Sequence, residues 1–385
     1  MMEWRVPLAD IDFDEQEVSA VTEVLHSRWL STGEVTREFE QEFAAFIGAK
    51  HTVAVTNATA ALHLACLVAG VGTGDEVIVP SLTFVATANA VRYTGARPVF
   101  ADIESPDWLT LSPASIESCV TKQTRAILVV HYAGFPCDMP AVMEIAHRYN
   151  LTVLEDSAHA IGSTLSGRVL GTWGSVGCYS FFPNKNMTTG EGGMLATDND
   201  ALAERLRLLR SHGMTSLSWD RHKGHAWSYD VVDLGYNYRI DEMRSALGRV
   251  QLKKLPANNQ RREHLTKLYR ELLTKLVPEV HMPFEDARGT SCYHILPVLL
   301  PPQTDRIRFM EGLKSLGVQT SIHYPPVHHF QIYYEEWQKL GIPLPITEDV
   351  AAREVTLPLY PTMRDEQVEW VVQAIKETLR ENVAR

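Results

Sequence analysis

The first two thirds of the sequence alternate short apolar runs with helical patterns. Seven runs rich in β-branched residues are predicted strands, and they begin at His51, Asp75, Arg97, Arg125, Leu151, Val176 and Gly192. Most of these runs are continuously apolar, which is typical of strands buried on both faces. Helical patterns separate the early runs, so we expect an α/β fold with a mostly parallel sheet covered by helices. The last two runs lie too close together for an intervening helix, so we expect one of them to run antiparallel.

The pattern changes after the last predicted strand. Ile240, Met243, Leu247 and Val250 recur at helical spacing and predict a long amphipathic helix. The alternation of strands and helices stops near residue 256, and the last predicted helix buries Val368, Val371, Ile375 and Leu379 on one face. We therefore predict a large domain over 1–255 and a smaller C-terminal α+β domain over 256–385. The N-terminal segment is a candidate to pack on the small domain.

The net charge and the cysteine content argue against several classes of protein. The net charge is −11, from 36 basic and 47 acidic side chains, which argues against binding to nucleic acid or to an anionic membrane surface. Five cysteines are scattered without a C-x-x-C pair, which indicates a reducing compartment and no zinc cage. The N-terminus has no apolar signal-peptide core, and no run is long enough to span a membrane. We expect a cytoplasmic protein.

Three predicted strand ends carry residues that could bind a ligand, because ligands of open α/β sheets bind beyond the carboxyl ends of the strands. The first, "VTNATAAL", places Ala58 and Thr59 at the start of a helix, where free N–H groups suit a phosphate. An ordinary helix cap is the better explanation of this stretch when it is taken alone, because such caps are common. The second, "VLEDSAHAIG", ends a strand in Asp156, and His159 follows three residues later.

The third strand end is followed by "FFPNKNMTTGEGGM". Ser180 ends the strand and Lys185 follows five residues later. A lysine just past a buried strand loses solvation, which lowers its pKa and makes its amine a nucleophile. A solvated surface lysine is the alternative for any such residue taken alone.

Together the three strand ends fit pyridoxal phosphate (PLP). This cofactor needs a lysine to form an imine, a carboxylate to keep its ring nitrogen protonated, and a cradle for its phosphate. Phe84, beyond the second strand, could stack on the ring, although a core position is the alternative.

The motifs "VTNATAALHLA", "VIVPSLTFVATANAV", "EDSAHAIGS", "YSFFPNKNMTTGEGGM" and "LGYNYRIDEMRSALGRVQL" occur in this order. In order and spacing the chain resembles the DegT/StrS-type sugar aminotransferases, which are PLP enzymes of fold type I, over nearly its whole length. The resemblance implies that Lys185 forms the imine and moves the proton, and that Asp156 pairs with the pyridinium nitrogen. It places His159 near the ring hydroxyl, Phe84 on the ring, and Ala58, Thr59 and Ser180 at the phosphate. Asn237 would reach the phosphate of a neighbouring subunit.

The resemblance also implies a function. The chain would transfer an amino group from glutamate or glutamine to a keto sugar, which we expect to be nucleotide-linked, in a homodimer with shared active sites. A sugar dehydratase of the same family is disfavoured because that branch replaces the lysine with histidine. A non-catalytic PLP-binding regulator is a further alternative, and a nicotinamide reductase is disfavoured because the Gly-rich turn is missing. The spacing of His323, His328 and His329 does not match a zinc helix, so we predict no metal site there; these residues could line the substrate mouth.

Overall fold

A seven-stranded sheet forms the centre of the molecule. The structure, a computed structural model, describes residues 4–215, 228–286 and 288–383. The strands described, in chain order, are β1 His51–Val55, β2 Glu76–Pro80, β3 Arg97–Ala101, β4 Ile103–Ser105, β5 Trp108–Leu111, β6 Thr124–Val130, β7 Thr152–Asp156, β8 Thr164–Leu165, β9 Arg168–Val169, β10 Val176–Ser180, β11 Gly193–Thr197, β12 Leu296–Leu299 and β13 Glu354–Leu357. The central sheet has the order β1-β11-β10-β7-β6-β2-β3. All seven predicted strands belong to it.

The direction of the strands follows the prediction. The pairs β2·β3, β2·β6, β6·β7 and β7·β10 are parallel. Strand β11 is antiparallel to both of its neighbours, β1 and β10. The sheet is therefore mostly parallel, and the carboxyl ends of β2, β6, β7 and β10 meet at one edge.

Helices cover both faces of the sheet, as expected for strands whose side chains are apolar on both sides. The helices described, in chain order, are α1 Glu15–Ser27, α2 Glu34–Ile47, α3 Ala58–Val68, α4 Ala86–Tyr93, α5 Pro113–Cys119, α6 Met139–Tyr149, α7 Asp200–Arg210, α8 Glu242–Leu276, α9 Arg306–Ser315, α10 Gln331–Leu340, α11 Pro345–Arg353 and α12 Asp365–Val383. Several begin at an Asn or Asp whose side chain accepts from a first-turn N–H, for example Asn57 at α3 and Asp138 at α6. No helix among the described residues combines the length and apolarity that crossing a membrane requires.

The predicted long helix is α8, which has 35 residues. It runs without a break through residue 256, and Pro256 lies inside it. At a rise of 1.5 Å per residue it is about 50 Å long. The helix therefore passes from the first predicted domain into the second, and the division at 255/256 stays a prediction.

A second apolar cluster lies outside the central sheet. Residues of α8, α9, α12 and the antiparallel pair β12·β13 pack into it, and Val6 from the N-terminal segment joins them. Val6 also forms a parallel bridge with Val318. The predicted apolar face of the last helix, Val368, Val371, Ile375 and Leu379, is buried in this cluster.

Candidate active site

A cavity of about 450 Å³ lies at the carboxyl ends of the parallel strands. It brings together seven of the eight site residues predicted from the sequence. These are Ala58, Thr59, Phe84, Asp156, His159, Ser180 and Lys185. The strand ends that looked unremarkable one at a time therefore form one site.

Lys185 follows β10 in a loop that folds back on the strand end. The Phe181 amide donates to the Gly192 carbonyl at 2.9 Å, and the Thr189 amide donates to the Phe181 carbonyl at 2.9 Å. The loop directs Lys185 Nζ into the cavity, 3.3 Å from His294 Nε2. Burial lowers the pKa of Lys185 to about 8, although Asp156 and Cys292 act in the opposite direction. With this pKa, roughly a tenth of Lys185 is free amine at pH 7, far more than for a lysine with the usual pKa of about 10.4.

Asp156 is the last residue of β7 and is 6% exposed. The Thr87 hydroxyl donates to its Oδ2 at 2.8 Å, and the Ala158 amide donates to its Oδ1 at 3.1 Å. Burial raises the pKa of Asp156, and these two hydrogen bonds oppose that effect. The carboxylate is therefore held in one orientation at the cavity and needs a cationic partner to offset its desolvation.

His159 is a neutral ring of defined tautomer. The Ala133 amide donates to its Nδ1 at 3.3 Å, so the proton resides on Nε2, which lies 3.0 Å from the Tyr324 hydroxyl. Burial lowers the pKa of His159 well below its usual value, and the Lys185 charge adds to this effect. The ring can therefore donate a hydrogen bond but holds no positive charge.

The start of α3 and the end of β10 form one end of the cavity. Ala58 and Thr59 lie in the first turn of α3, whose N–H groups have no intrahelical partner. The Asn57 side chain accepts from the Ala60 amide at 2.8 Å and fixes this turn. Gly193 lies against it so closely that a Cβ atom there would come within 2.6 Å of the Asn57 carbonyl carbon. The arrangement is a built anion cradle, which the Ser180 side chain borders.

Phe84 is a cavity residue and not a core residue. Its side chain is 56% exposed, and its ring centroid lies 5.8 Å from that of Tyr324. His323 and Tyr324 also line the cavity, whereas His328 and His329 are not among its lining residues.

Asn237 is the one predicted site residue that does not line the cavity of its own chain. It is exposed and forms a backbone bridge with Ser211. Its predicted role toward a second subunit therefore stays a prediction.

Sequence reasoning missed three polar residues of the site. Thr87 stands within the quoted motif "VIVPSLTFVATANAV", and Tyr324 directly follows His323, which the sequence analysis named. Their positions were available although their contacts were not. His294 belongs to none of the motifs. Its Nδ1 donates to Asn186 Oδ1 at 3.0 Å, and its Nε2 accepts from Lys185 Nζ at 3.3 Å. No signal in the sequence pointed to it.

The residues present fit PLP. A buried lysine amine and a buried carboxylate face one cavity, and a helix N-terminus with a hydroxyl closes one end. Because Gly193 has no side chain, β11 can lie against the first turn of α3 without displacing it. This donor set matches the amine, carboxylate and phosphate cradle that the cofactor requires.

Comparisons with known proteins agree with this assignment. The sequence model of the DegT/DnrJ/EryC1/StrS aminotransferase family matches residues 11–376. The chain is 38% identical over 371 residues to the spore coat polysaccharide biosynthesis protein SpsC of Bacillus subtilis, covering 95% of each chain. Among solved structures it resembles Helicobacter pylori PseC, an aminotransferase involved in the biosynthesis of pseudoaminic acid, with a TM-score of 0.90 and 30% identity over 99% of this chain and 100% of that chain. It also resembles DesI, determined in the presence of its TDP-sugar product, with a TM-score of 0.88 and 32% identity over 99% of this chain and 94% of that chain.

Proposed function

We propose that this chain, which belongs to the DegT/DnrJ/EryC1/StrS aminotransferase family, is specific in its donor and acceptor. It transfers an amino group from glutamate or glutamine to a nucleotide-linked keto sugar. The family membership and the structural neighbours make the chain a PLP-dependent sugar aminotransferase of fold type I. The proposal concerns the donor, the form of the acceptor and the residues that act. The observation that carries the residue roles is the placement of Lys185 Nζ in the same cavity as the Asp156 carboxylate.

Bound PLP supplies an electron sink that stabilises negative charge on the substrate carbon. Lys185 is the residue that takes up and returns the proton at Nζ. Because burial holds the pKa of Lys185 at about 8, the amine can exchange a proton in either direction near neutral pH. His294 Nε2, 3.3 Å from Nζ, orients the amine within the cavity.

Asp156 and His159 would hold the cofactor ring. The Asp156 carboxylate, fixed by Thr87, is the group that would keep a ring nitrogen protonated. His159, neutral and hydrogen-bonded to Tyr324, would lie beside the ring hydroxyl. The amides of Ala58 and Thr59 and the hydroxyl of Ser180 would hold the phosphate, and Phe84 would cover the ring.

The acceptor is proposed to be nucleotide-linked because DesI, which this chain resembles, was determined with a TDP-sugar. The dehydratase alternative stays disfavoured because Lys185 is present at the position where that branch has histidine.

We also propose a homodimer with shared sites. Asn237 lies outside its own cavity, and the segment that precedes it exposes Val231, Val232 and Leu234 at 57%, 56% and 82%. Apolar side chains exposed together are typical of an interface between subunits. A partner that covers this segment would bring Asn237 close to a second cavity.

The donor and the acceptor are tested in two half-reactions. The purified PLP form is mixed separately with glutamate, glutamine and aspartate, and conversion to the amine form is followed by absorbance. The amine form is then freed of donor and mixed with a keto sugar, either free or linked to TDP or UDP. We expect conversion by glutamate or glutamine and return of the aldehyde-form spectrum only with a nucleotide-linked sugar.

Free and nucleotide-linked keto sugars that act at equal kcat/KM would contradict the nucleotide proposal. Aspartate as the preferred donor would contradict the donor proposal. A Lys185→Ala variant is the control, since it binds the same ligands without a lysine amine to move the proton.

A further inference from the structure

Two histidines and a glutamate converge outside the active-site cavity. His328 and His329 belong to the short helical turn Val327–His329, and Glu348 lies in the first turn of α11. His328 Nε2 lies 3.5 Å from Glu348 Oε1, and His329 Nε2 lies 3.8 Å from the same oxygen. The three ligand atoms all lie within 4.8 Å of one another. The spacing of the histidines alone did not suggest this cluster, because the third member comes from a later helix.

His328 is the buried member of the cluster, with a side chain that is 0% exposed. Its Nδ1 is 2.6 Å from the Ser81 hydroxyl, whereas its Nε2 has no hydrogen-bond partner among residues 4–215, 228–286 and 288–383. Buried polar atoms without a partner are rare in native proteins. With the Nδ1 proton donated to the Ser81 hydroxyl oxygen, Nε2 carries the lone pair that a metal ion can bind.

The backbone around the cluster is firmly anchored. The His328 amide donates to Ser81 Oγ at 3.2 Å. The Asp102 carboxylate accepts from the amides of Ile346 and Thr347 at 3.0 and 2.8 Å, which fixes the start of α11 and hence Glu348. Ligands held by such neighbouring hydrogen bonds keep their orientation toward a metal ion.

We propose that His328 Nε2, His329 Nε2 and Glu348 Oε1 bind one divalent transition-metal ion of the Zn²⁺ type, with water as the fourth ligand. Two imidazoles and one carboxylate are a ligand set that Zn²⁺ uses with an open fourth position. Bonds of about 2.1 Å in a tetrahedral site place ligand atoms about 3.4 Å apart. The glutamate oxygen already lies near that distance from both histidines. His329 and Glu348 are 48% and 46% exposed, so these two side chains can adjust around the buried His328.

An ion bound here would lie outside the active-site cavity but would be connected to one of its walls. The segment that carries His328 also carries His323 and Tyr324, which line the cavity, and Ser81 precedes the cavity residue Phe84. The ion would therefore join α11 to the segment that forms one wall of the cavity. This assignment goes beyond the proposed amino transfer and does not depend on the donor or the acceptor.

The test uses untagged, EDTA-treated holoenzyme in isothermal titration with Zn²⁺, Co²⁺ and Mg²⁺. We expect one Zn²⁺ per chain, binding of Co²⁺ with the visible absorption of a four-coordinate site, and no binding of Mg²⁺, which prefers oxygen ligands. His329→Gln and Glu348→Gln should each weaken Zn²⁺ binding by about tenfold or more. Both positions are exposed, so these variants are expected to fold.

His264→Gln is the matched control, since His264 is a 54% exposed histidine paired with Asp365 at 2.9 Å in another part of the molecule. Its Zn²⁺ affinity should equal that of the wild type. The proposal is overturned if the wild type binds no stoichiometric Zn²⁺, if either cluster variant keeps the wild-type affinity, or if His264→Gln weakens binding as much as the cluster variants do.

Discussion

At the scale of single residues, burial shifts the pKa of Lys185 and of Asp156 in opposite directions. The same low-dielectric cavity lowers the pKa of the lysine to about 8 and raises that of the aspartate. The shift of the lysine brings its amine closer to the pH at which proton transfer is efficient. The raised pKa of the aspartate is the cost of burial that a protonated ring nitrogen beside it would offset. Thr87 and His294 limit the positions that the two side chains can take.

Lys185→Ala is expected to lower kcat by roughly 10²–10⁴-fold from the lost proton transfer alone. The fold should persist, because the truncation enlarges a cavity that is already open to a ligand. Stopped-flow absorbance gives kcat, and circular dichroism gives the fold. Borohydride reduction of the wild type followed by peptide mass spectrometry should place the label on Lys185, and a label on another lysine would refute the assignment.

Asp156→Ala is expected to retain PLP but to lower kcat by about 10²–10³-fold, because the group that stabilises the protonated ring nitrogen is gone. The loss in kcat should exceed the loss in PLP affinity, since the phosphate cradle is intact. Steady-state kinetics and equilibrium dialysis measure the two quantities. Near-normal kcat in this variant would mean that Asp156 is structural.

Covalent capture of PLP by the cofactor-free protein should become faster as pH rises, with a midpoint near 8. The free amine is the nucleophile, and deprotonation of Lys185 occurs below the value of about 10.4 typical of lysine because burial disfavours its charge. Stopped-flow absorbance at several pH values measures the rate. The reaction of PLP with Nα-acetyl-lysine corrects for the titration of PLP itself, and a corrected midpoint near 10 would contradict the buried amine.

At the scale of elements, the site is a product of strand order. The carboxyl ends of β2, β6, β7 and β10 lie along one edge of the sheet, so residues far apart in sequence share one cavity. The close contact between β11 and the start of α3 also shapes the site, because it sets the position of the first turn of α3. Gly193 in β11 pairs with both Val55 and Ser180, directly beside the proposed phosphate cradle.

Gly193→Ala is expected to weaken PLP binding on the order of tenfold, equivalent to ~1.4 kcal/mol. A Cβ atom at this position would lie 2.8 Å from the Ala58 nitrogen and would push the first turn of α3 away from the phosphate. Equilibrium dialysis of PLP measures the affinity. Gly72→Ala is the matched control, because a Cβ there meets no atom within 4 Å, and equal affinities for the two variants would argue against the cradle.

The strands were predictable because buried parallel strands are continuous apolar runs, and all seven are present. Asp156 and the start of α3 were predictable because the first ends such a run and the second comes just after one. Lys185 lies five residues past its strand end and was singled out by the order and spacing of all the motifs together. His294 was not, because its contact with Lys185 joins residues 109 positions apart and depends on packing of a segment without a motif. The sequence reasoning considered His328 and His329 but not Glu348, because the approach of Glu348 to the two histidines depends on packing in the same way.

At the scale of the whole molecule, the position of Asn237 bears on whether a second copy of the chain completes the active site. It lies outside the cavity that its own chain forms, next to exposed apolar side chains. A site completed by a second copy would make the dimer the unit of activity.

Subunit mixing tests that assembly. Lys185→Ala and Asn237→Asp should each be inactive, the second because its carboxylate repels the phosphate. If sites are shared, co-expression should recover roughly a quarter of wild-type activity, since half of the randomly paired dimers then have one intact site. Activity no higher than that of the parents, with mixed dimers demonstrated by native mass spectrometry, would place both residues in one chain's site.

The pairing of β1 with β11 also has a consequence for the order of folding during synthesis. β1 is the edge strand, and its neighbour in the sheet lies about 140 residues further along the chain. At ~5–20 residues per second, a ribosome needs on the order of ten seconds to synthesise that stretch. The nascent chain can pair β2 with β3 long before β1 has a partner. Because α3 starts directly after β1, the anion cradle would be among the last parts of the site to form, and a nascent chain that ends before β11 should not retain PLP.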